Sequence, residues 1–371
     1  MNKKNRFAVI IGIILLCFLG GILELLKNSR AIVVNGTDAI QATATEETET
    51  TASLLPSLNA LAYNAKLLQI ANLTTITHVK IIKATNSTPS STIITTSTIP
   101  AGWPVKAAYP DGGALLPFDR IVAYYGNLSA PEMGILGRFP EAQVLQMLAS
   151  TTEEWQAADP TTPVLPALDY IAVAAQGAPG FDGDYRARMS ADQINQVIQM
   201  AAQINGVIFL DLQVGLSNVQ TEVPLLAPYL KLPQVNLALD PEFAMHNGQK
   251  PGTVVGTMDA ADINYAANYL ANIVKENNLP PKILVVHRFT QAMVTNYQEI
   301  TPLPEVQIVM DMDGFGSPSE KISTYRDYIQ GEPVQFTGFK LFYKNDVAAG
   351  HLMTPAEVLK LSPEPSYIQY Q

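Results

Sequence analysis

The stretch that decides the fold is residues 206–242, GVIFLDLQVGLSNVQTEVPLLAPYLKLPQVNLALDPE. Two short runs rich in β-branched and other apolar residues, 206–214 and 234–242, flank an amphipathic segment at 219–231. Buried parallel strands are short apolar runs of this kind, and a crossover helix joins one parallel strand to the next. Residues 206–242 therefore predict one β-α-β unit.

The same alternation continues on both sides, from residue 119 to the C-terminus. We predict six further strands, at 120–126, 164–173, 282–288, 306–313, 334–343 and 365–370. We predict six further helices, at 141–157, 190–204, 259–278, 290–298, 319–330 and 354–361. Eight strands in 119–371 match the strand number and the ~250-residue size of a (β/α)8 barrel of the TIM type. An open doubly wound sheet is the alternative, but its G-x-G-x-x-G fingerprint does not follow the first strand.

Residues 1–30 are predicted to form a short cytoplasmic tip and a transmembrane signal anchor. An apolar run at 7–26 follows three basic residues within the first six. Twenty helical residues span the ~30 Å hydrocarbon layer, and the positive charges keep the N-terminus inside. We therefore expect a single-pass protein of the cell membrane with the barrel on the extracytoplasmic side. Secretion after signal cleavage and lipidation at Cys17 stay open as alternatives.

Residues 31–118 are interpreted as a Ser/Thr-rich stalk. Ser and Thr make up 21 of the 64 residues in 37–100, and 86–100 has low complexity. Such composition buries too little apolar surface to offset the entropy of ordering. The more apolar middle, 54–84, predicts a short helix and one strand, and a small separate domain is the alternative. A protease should then release a stable fragment that begins near Trp103.

The charge is unevenly distributed. The chain carries a net charge of −10, and residues 119–371 hold 27 of the 33 acidic residues and 14 of the 23 Lys and Arg, a net −13. A domain this acidic repels phosphate backbones, so we expect no nucleic-acid partner. The single cysteine excludes an internal disulfide framework and a cysteine-based zinc site.

Polar residues recur at the predicted C-terminal ends of the strands, where barrel enzymes carry their active sites. Three strands end in polar residues at positions i and i+2, which point to the same face: Asp211 and Gln213, Asp240 and Glu242, Asp311 and Asp313. Further strand-end candidates are Tyr124, Tyr125, Asp169, His287, Lys340 and Gln369. A single acid at such a position often caps a helix or pairs with a lysine. Six carboxylates that converge on one rim indicate a function, since buried charge is costly without a partner or a purpose.

The paired carboxylates and rim tyrosines suggest chemistry at a glycosidic bond, which needs one protonated and one ionised carboxyl group. We assign Glu242 as the general acid, because Asp240 beside it should raise its pKa. Asp313 is then the nucleophile or base, and Asp240 and Asp311 complete the catalytic set. The predicted substrate-binding residues are Tyr124, Tyr125, Asp169, Asp211, Gln213, His287, Lys340 and Gln369.

Two of these residues carry further expectations. His287 lies among acids, so its pKa should be raised. Lys340 is expected to pair with a neighbouring carboxylate, with a Schiff base as the alternative.

Other chemistries find little support. No G-x-S-x-G motif occurs, and the first strand carries Tyr-Tyr where metal-dependent barrel hydrolases usually carry H-x-H. We predict no cofactor and no metal, although a Mg²⁺ or Ca²⁺ ion held by Asp240, Asp311 or Asp313 stays open.

The string of strand-end motifs resembles a group of secreted or membrane-anchored bacterial proteins with a TIM-barrel domain. The motifs are IVAYYGN, LDYIAV, FLDLQVG, LALDPEF, KILVVHRFT, DMDGFG, GFKLFY and the terminal IQYQ, and they cover 119–371. The resemblance implies fold and location and names no reaction. More distantly the chain is similar to glycoside hydrolase barrels. It lacks their Asn-Glu at the end of strand four, their lone Glu on strand seven and the D-x-x-D-x-D-x-E run of chitinases.

Three classes of function stay open at this point. They are a glycan-active hydrolase with paired carboxylates, a non-catalytic surface barrel that binds carbohydrate or another small polar ligand or serves as a scaffold, and a different hydrolase or lyase. Carboxylates that all pair with Arg or Lys would favour the binding barrel.

Overall fold

Eight parallel strands close into a barrel in the computed structural model, which describes residues 55–82, 91–99 and 102–371. In chain order the barrel strands are β1 (Arg120–Gly126), β2 (Val164–Ala175), β3 (Val207–Leu212), β4 (Val235–Leu239), β5 (Lys282–Arg288), β6 (Val306–Met312), β7 (Phe336–Leu341) and β8 (Tyr367–Tyr370). Each pairs with its neighbours along the chain, and β1 pairs with both β2 and β8. This closure confirms the predicted barrel and excludes the open sheet.

The helices around the barrel are α1 (Glu141–Ala158), α2 (Ala191–Gln203), α3 (Val219–Leu225), α4 (Ala227–Leu230), α5 (Ala260–Asn277), α6 (Pro318–Tyr325), α7 (Asn345–Ala349) and α8 (Pro355–Val358). The predicted segment at 219–231 is divided into α3 and α4, with Pro224 inside α3. Beyond α6 the chain continues as one wider π-helical turn, Arg326–Gln330. A short strand, Arg186–Arg188, pairs antiparallel with the end of β2.

The helix predicted at 290–298 is wrong. The structure has two 3-10 turns there, Gln291–Met293 and Tyr297–Glu299, on either side of the two-residue strand Val294–Thr295. The Arg288 guanidinium donates hydrogen bonds to the backbone carbonyls of 290, 291 and 294. In a helix these carbonyls would accept from backbone N–H groups instead. Asn296 also adopts a left-handed backbone conformation, which ends any helix.

Strand alternation places one set of side chains inside the barrel and the other set against the helices. The interior near the N-terminal ends of the strands is lined mainly by apolar side chains, among them Ile121, Ala123, Phe209, Val285 and Phe336. The outward side chains pack with the helices in a larger cluster. The N-terminal half of the interior is therefore mainly a hydrophobic core, with Gln307 as a buried polar exception, and the acids of the predicted site lie at the opposite end.

A helix that precedes the barrel, Ala60–Ala71, closes this apolar end, and we call it the plug helix. The Asn59 side chain caps its first turn by accepting from the Ala62 N–H at 3.0 Å. Tyr63 on this helix and Leu116 after it belong to the same cluster as the barrel interior. The Gln307 side chain, from inside the barrel, holds the Leu116 backbone through both its N–H (3.1 Å) and its carbonyl (2.6 Å).

These contacts correct the predicted stalk in part. The Ile70 carbonyl accepts from the Glu364 N–H at 2.6 Å, and the Trp103 indole donates to the Gln330 carbonyl at 2.8 Å. Residues around the plug helix and from 102 to 118 are thus part of the barrel's base. A protease that cuts between 83 and 101 would leave the plug helix in place.

The helix and the strand predicted within 54–84 are both present, as the plug helix and the strand Thr74–Ile82. That strand pairs antiparallel with a second strand, Ser91–Ile99. The second strand lies in the low-complexity stretch 86–100, for which the sequence analysis predicted no strand. None of the described helices combines the length and the apolarity that a bilayer crossing requires. The predicted anchor at 7–26 lies outside the described residues.

The plug helix should contribute measurably to stability. Tyr63 is 4% exposed, so Tyr63→Ala should lower the free energy of unfolding by about 3 kcal/mol, the scale for truncating a buried aromatic residue. Leu61→Ala is the matched control, since Leu61 on the same helix is 84% exposed and should cost less than about 0.5 kcal/mol. Urea unfolding of the full chain measures both. Equal, small losses would show that the helix does not seal the barrel.

Candidate active site

A cavity of about 530 Å³ opens at the C-terminal end of the barrel. Six of the predicted site residues line it: Tyr125, Gln213, Asp240, Glu242, Asp313 and Lys340. They come from β1, the loops after β3, β4 and β6, and β7, so the closed barrel brings together residues far apart in sequence. The strand-end reasoning thus found most of the polar lining of this cavity.

Asp240 and Glu242 reach the cavity through a local turn. Pro241 begins a 3-10 turn, Pro241–Phe243, directly after β4, and Asp240 Oδ1 accepts from the Glu242 N–H at 3.1 Å. Asp240 Oδ2 accepts from Gln213 Nε2 at 3.2 Å. Asp240 is therefore fixed from two sides. Neither Asp240 nor Glu242 forms an ion pair with a Lys, Arg or His of the described chain.

Asp313 is paired with a cation. Lys340 Nζ lies 2.9 Å from Asp313 Oδ1 and 3.9 Å from the centre of the Tyr125 ring, which provides a cation–π contact. Burial lowers the pKa of Lys340, but Asp313 and the other acids more than compensate, and the net shift is upward. Lys340 therefore stays a cation, as the pairing interpretation predicted.

His287 lies beneath the cavity, fully buried between carboxylates. Its Nδ1 is 3.1 Å from Asp311 Oδ2 and 3.6 Å from Asp313 Oδ2, and its Nε2 is 3.5 Å from Asp211 Oδ2. Burial lowers the pKa of His287, but the polar contacts with Asp211 and Asp311 and the charges of Asp211 and Asp313 reverse this, and the pKa lies well above its ordinary value. Both ring nitrogens face carboxylate oxygens, so the side chain is an imidazolium, as the sequence predicted.

Asp169 and Gln369 belong to a separate network deeper in the barrel. Asp169 Oδ2 accepts from the Tyr367 hydroxyl at 2.6 Å and from Gln369 Nε2 at 2.8 Å. Burial, followed by the charge of Asp211, raises the pKa of Asp169 to about 7. Besides Tyr124, five predicted site residues do not line the cavity and are fully buried: Asp169, Asp211, His287, Asp311 and Gln369. They form the layer on which the cavity floor rests.

Tyr124 is placed elsewhere, which corrects its predicted role. Its side chain points outward from β1, where its hydroxyl lies 2.7 Å from the Thr151 hydroxyl and 3.2 Å from the Tyr343 hydroxyl. Alternation along β1 sends Tyr125 inward and Tyr124 into the layer between sheet and helices. The tyrosine pair thus contributes one ring to the cavity.

Two acids at the cavity floor have raised pKa values. Burial, followed by the charge of Asp313, raises the pKa of Glu242 to about 7. Burial, followed by the charge of Asp211, raises the pKa of Asp240 well above its ordinary value. The direction agrees with the prediction for Glu242, but the main causes are burial and Asp313 rather than Asp240. Glu242, whose pKa is raised, thus shares the cavity with Asp313, which is ion-paired with Lys340, and acid–base chemistry requires two acids in such different surroundings.

Aromatic and rim residues complete the cavity, and the strand-end reasoning missed them. They are Phe243, Phe289, Phe315, Phe342 and Asn345. Most lie in loops or turns beyond the strands, where no periodicity predicts direction. Their only sequence signal is that Phe243, Phe289 and Phe315 each follow a polar strand end by one to three residues.

The described residues contain no group of three or more His, Cys, Asp or Glu side chains arranged to hold a metal ion. The carboxylates discussed above are neutralised by His287, by Lys340 or by protons.

Comparison with known proteins gives only distant similarities. No family model matches the chain, and no curated protein matches it. Among solved structures, a GH5-4 broad-specificity endoglucanase from Clostridium longisporum is 7% identical, with a TM-score of 0.33 over 60% of this chain and 75% of that one. The mannanase BCman from Bacillus subtilis is 11% identical, with a TM-score of 0.35 over 68% and 80%. A dihydropteroate synthase from Burkholderia cenocepacia is 10% identical, with a TM-score of 0.27 over 68% and 85%. Similarities this weak carry no argument, and the barrel assignment rests on the strand pairing.

Gly338 on β7 makes room for the buried layer. A Cβ atom there would lie 2.5 Å from Asp311 Oδ1. Gly338→Ala should therefore displace Asp311 from His287 and lower the free energy of unfolding by about 1–3 kcal/mol, the usual cost of overpacking. Gly177→Ala is the control, because a Cβ there meets nothing closer than the end of the Lys250 side chain, at 3.6 Å. Urea unfolding compares the two. A Gly338→Ala variant as stable as the control would contradict the tight layer.

Proposed function

We propose that this protein is a glycan-active hydrolase that cleaves a glycosidic bond in the cavity at the C-terminal end of the barrel. The observation that carries the proposal is the pair formed by Glu242, which has a raised pKa and no ion pair with a cation of the described chain, and Asp313, which is paired with Lys340. Glycoside hydrolysis needs one carboxylic acid and one carboxylate in the same site.

Glu242 is the proton donor in this proposal. With a pKa of about 7 it still carries its proton in about half of the molecules at neutral pH and can give it to the glycosidic oxygen as the bond breaks. Asp313 attacks the anomeric carbon or takes a proton from the water that does so. Lys340 and His287 both lie against the Asp313 carboxyl group, and Gln213 and Asp240 line the cavity as polar groups within reach of a bound sugar.

The cavity walls suit a sugar. Tyr125, Phe243, Phe289 and Phe342 surround the polar floor, and binding sites for small molecules combine an apolar wall with a few placed polar groups in this way. The non-catalytic binding barrel is less well supported, because Asp240 and Glu242 form no ion pair with a cation of the described chain. A barrel whose acids served only structure would be expected to pair them all.

Amide substitutions test the assignment. With the full chain and a substrate found by screening cell-wall and plant polysaccharides, Glu242→Gln and Asp313→Asn should each lower kcat by a factor on the order of 10² or more. Asp192→Asn is the matched control, since Asp192 is an exposed acid in the first turn of α2, away from the cavity. Melting temperatures of the variants separate catalytic from structural loss. Full activity in both variants, or unfolding of both, would leave the binding barrel as the better reading.

The pH dependence provides a separate test. The protonated form of Glu242 is the active one, so kcat/KM should fall as the pH rises through about 7. The residual activity of Glu242→Gln should lose this alkaline fall, because the amide does not titrate. An unchanged alkaline limb in Glu242→Gln would assign the acid to another residue.

We also propose that the barrel lies on the extracytoplasmic side of the cell membrane, held by residues 7–26. The support is the basic start, the apolar run and the single cysteine, Cys17. In a Cys17→Ser background, Phe181→Cys on the barrel should react with a membrane-impermeant maleimide in spheroplasts, since Phe181 is fully exposed. Lys4→Cys should react only after lysis. Labelling of Phe181→Cys only after lysis would place the barrel inside the cell.

A further inference from the structure

A second groove of about 530 Å³ adjoins the candidate cavity. The two share Phe315 and Asn345, so they are continuous across the Phe315 side chain. The remaining lining residues of the second groove are Gly316, Glu320, Ala348 and Ala349. Each groove alone has the size of a site for a small molecule, and together they exceed what one sugar ring fills.

Phe315 forms the ridge between the two grooves. Its side chain is 65% exposed, and its ring meets Phe342 edge to face at 5.9 Å between centroids. Phe342 lines the catalytic cavity, so the pair extends the aromatic wall of the cavity outward to the second groove. An aromatic ring placed this way presents its surface to whatever occupies both grooves.

The backbone on both sides of Phe315 is anchored from below. Lys321 Nζ donates to the Gly314 carbonyl at 2.7 Å, and Asp346 Oδ1 accepts from the Gly316 N–H at 3.0 Å. Lys321 and Asp346 themselves form a buried ion pair at 3.0 Å. A buried pair of this kind fixes geometry even where it adds little stability. Phe315 is therefore held in an exposed position by buried contacts on each side.

The second groove also offers polar contacts. Asn345 begins α7 at the border of the two grooves, and its side-chain amide makes no hydrogen bond to another residue of the described chain. An amide can donate to and accept from hydroxyl groups. Ala348 and Ala349 also line the second groove, and their small side chains take up little of its space.

We propose that the ligand is an extended glycan chain that runs from the catalytic cavity across Phe315 into the second groove. Phe315 stacks on a sugar ring outside the catalytic cavity, and Asn345 binds hydroxyl groups at the border. This inference rests on the proposed function and narrows it to substrates of several sugar units. Single sugars and disaccharides would occupy the catalytic cavity alone.

Calorimetric titration of the full chain carrying Glu242→Gln tests this inference without turnover. The probes are neutral disaccharides and hexasaccharides of glucose, mannose, xylose and N-acetylglucosamine. In at least one series the hexasaccharide should bind about tenfold more tightly than the disaccharide. Adding Phe315→Ala should remove most of that difference, because the loss of affinity should be several-fold larger for the hexasaccharide than for the disaccharide. Phe315→Trp should keep it, because the indole provides a flat ring of its own.

Phe181→Ala is the matched control, since Phe181 is fully exposed and lines neither groove. It should leave the affinity for both oligomers unchanged. Equal affinities for disaccharide and hexasaccharide, or unchanged hexasaccharide binding in Phe315→Ala, would show that the second groove does not bind the glycan. The ligand would then be small enough to fit the catalytic cavity alone. Failure of every oligomer to bind, together with no hydrolysis in the polysaccharide screen, would overturn the proposed function and this inference with it.

Discussion

The polar end of the barrel depends on how its buried carboxyl groups are neutralised. Desolvating a carboxylate is costly unless a cation or a proton accompanies it. His287 is shared by Asp211, Asp311 and Asp313, and Lys340 adds a second cation at Asp313. Asp169, Asp240 and Glu242 lie in the same buried region, form no ion pair with a cation of the described chain, and have pKa values that burial raises, which favours the protonated form. One barrel end thus combines acids that are paired with cations and acids that are not.

This arrangement requires the other end of the barrel to be dry. The N-terminal half of the interior is mainly apolar, and the plug helix and Leu116 pack against it. Low polarity beneath the acids strengthens every charge interaction above them. The plug helix therefore contributes to the electrostatics of the site as well as to stability, although it lies at the opposite end of the barrel.

The sequence predicted the features that follow from period-two alternation. Eight apolar runs predicted the barrel, and the i, i+2 pairs placed Gln213, Asp240, Glu242 and Asp313 at one cavity. Alternation alone does not say which of two adjacent tyrosines points inward, because β1 is buried on both faces. It also does not separate acids at the cavity surface from those one layer below, since that depends on barrel register. Phe315 and the docking of the plug helix depend on tertiary packing, for which these segments have no periodic signal.

The difference between Asp240 and Glu242 shows how a local turn selects one acid for chemistry. Asp240 ends its strand with both carboxylate oxygens engaged, one by the Glu242 N–H and the other by Gln213. The turn that begins at Pro241 leaves the Glu242 side chain only partly buried in the cavity lining. Glu242 forms no ion pair with a cation of the described chain. Asp240 thus has a structural role, because its hydrogen bond from the Glu242 N–H stabilises the turn that places Glu242 in the cavity lining. A group that must exchange a proton with a ligand has to be both accessible and protonated, and in this barrel end the turn after β4 gives Glu242 both properties.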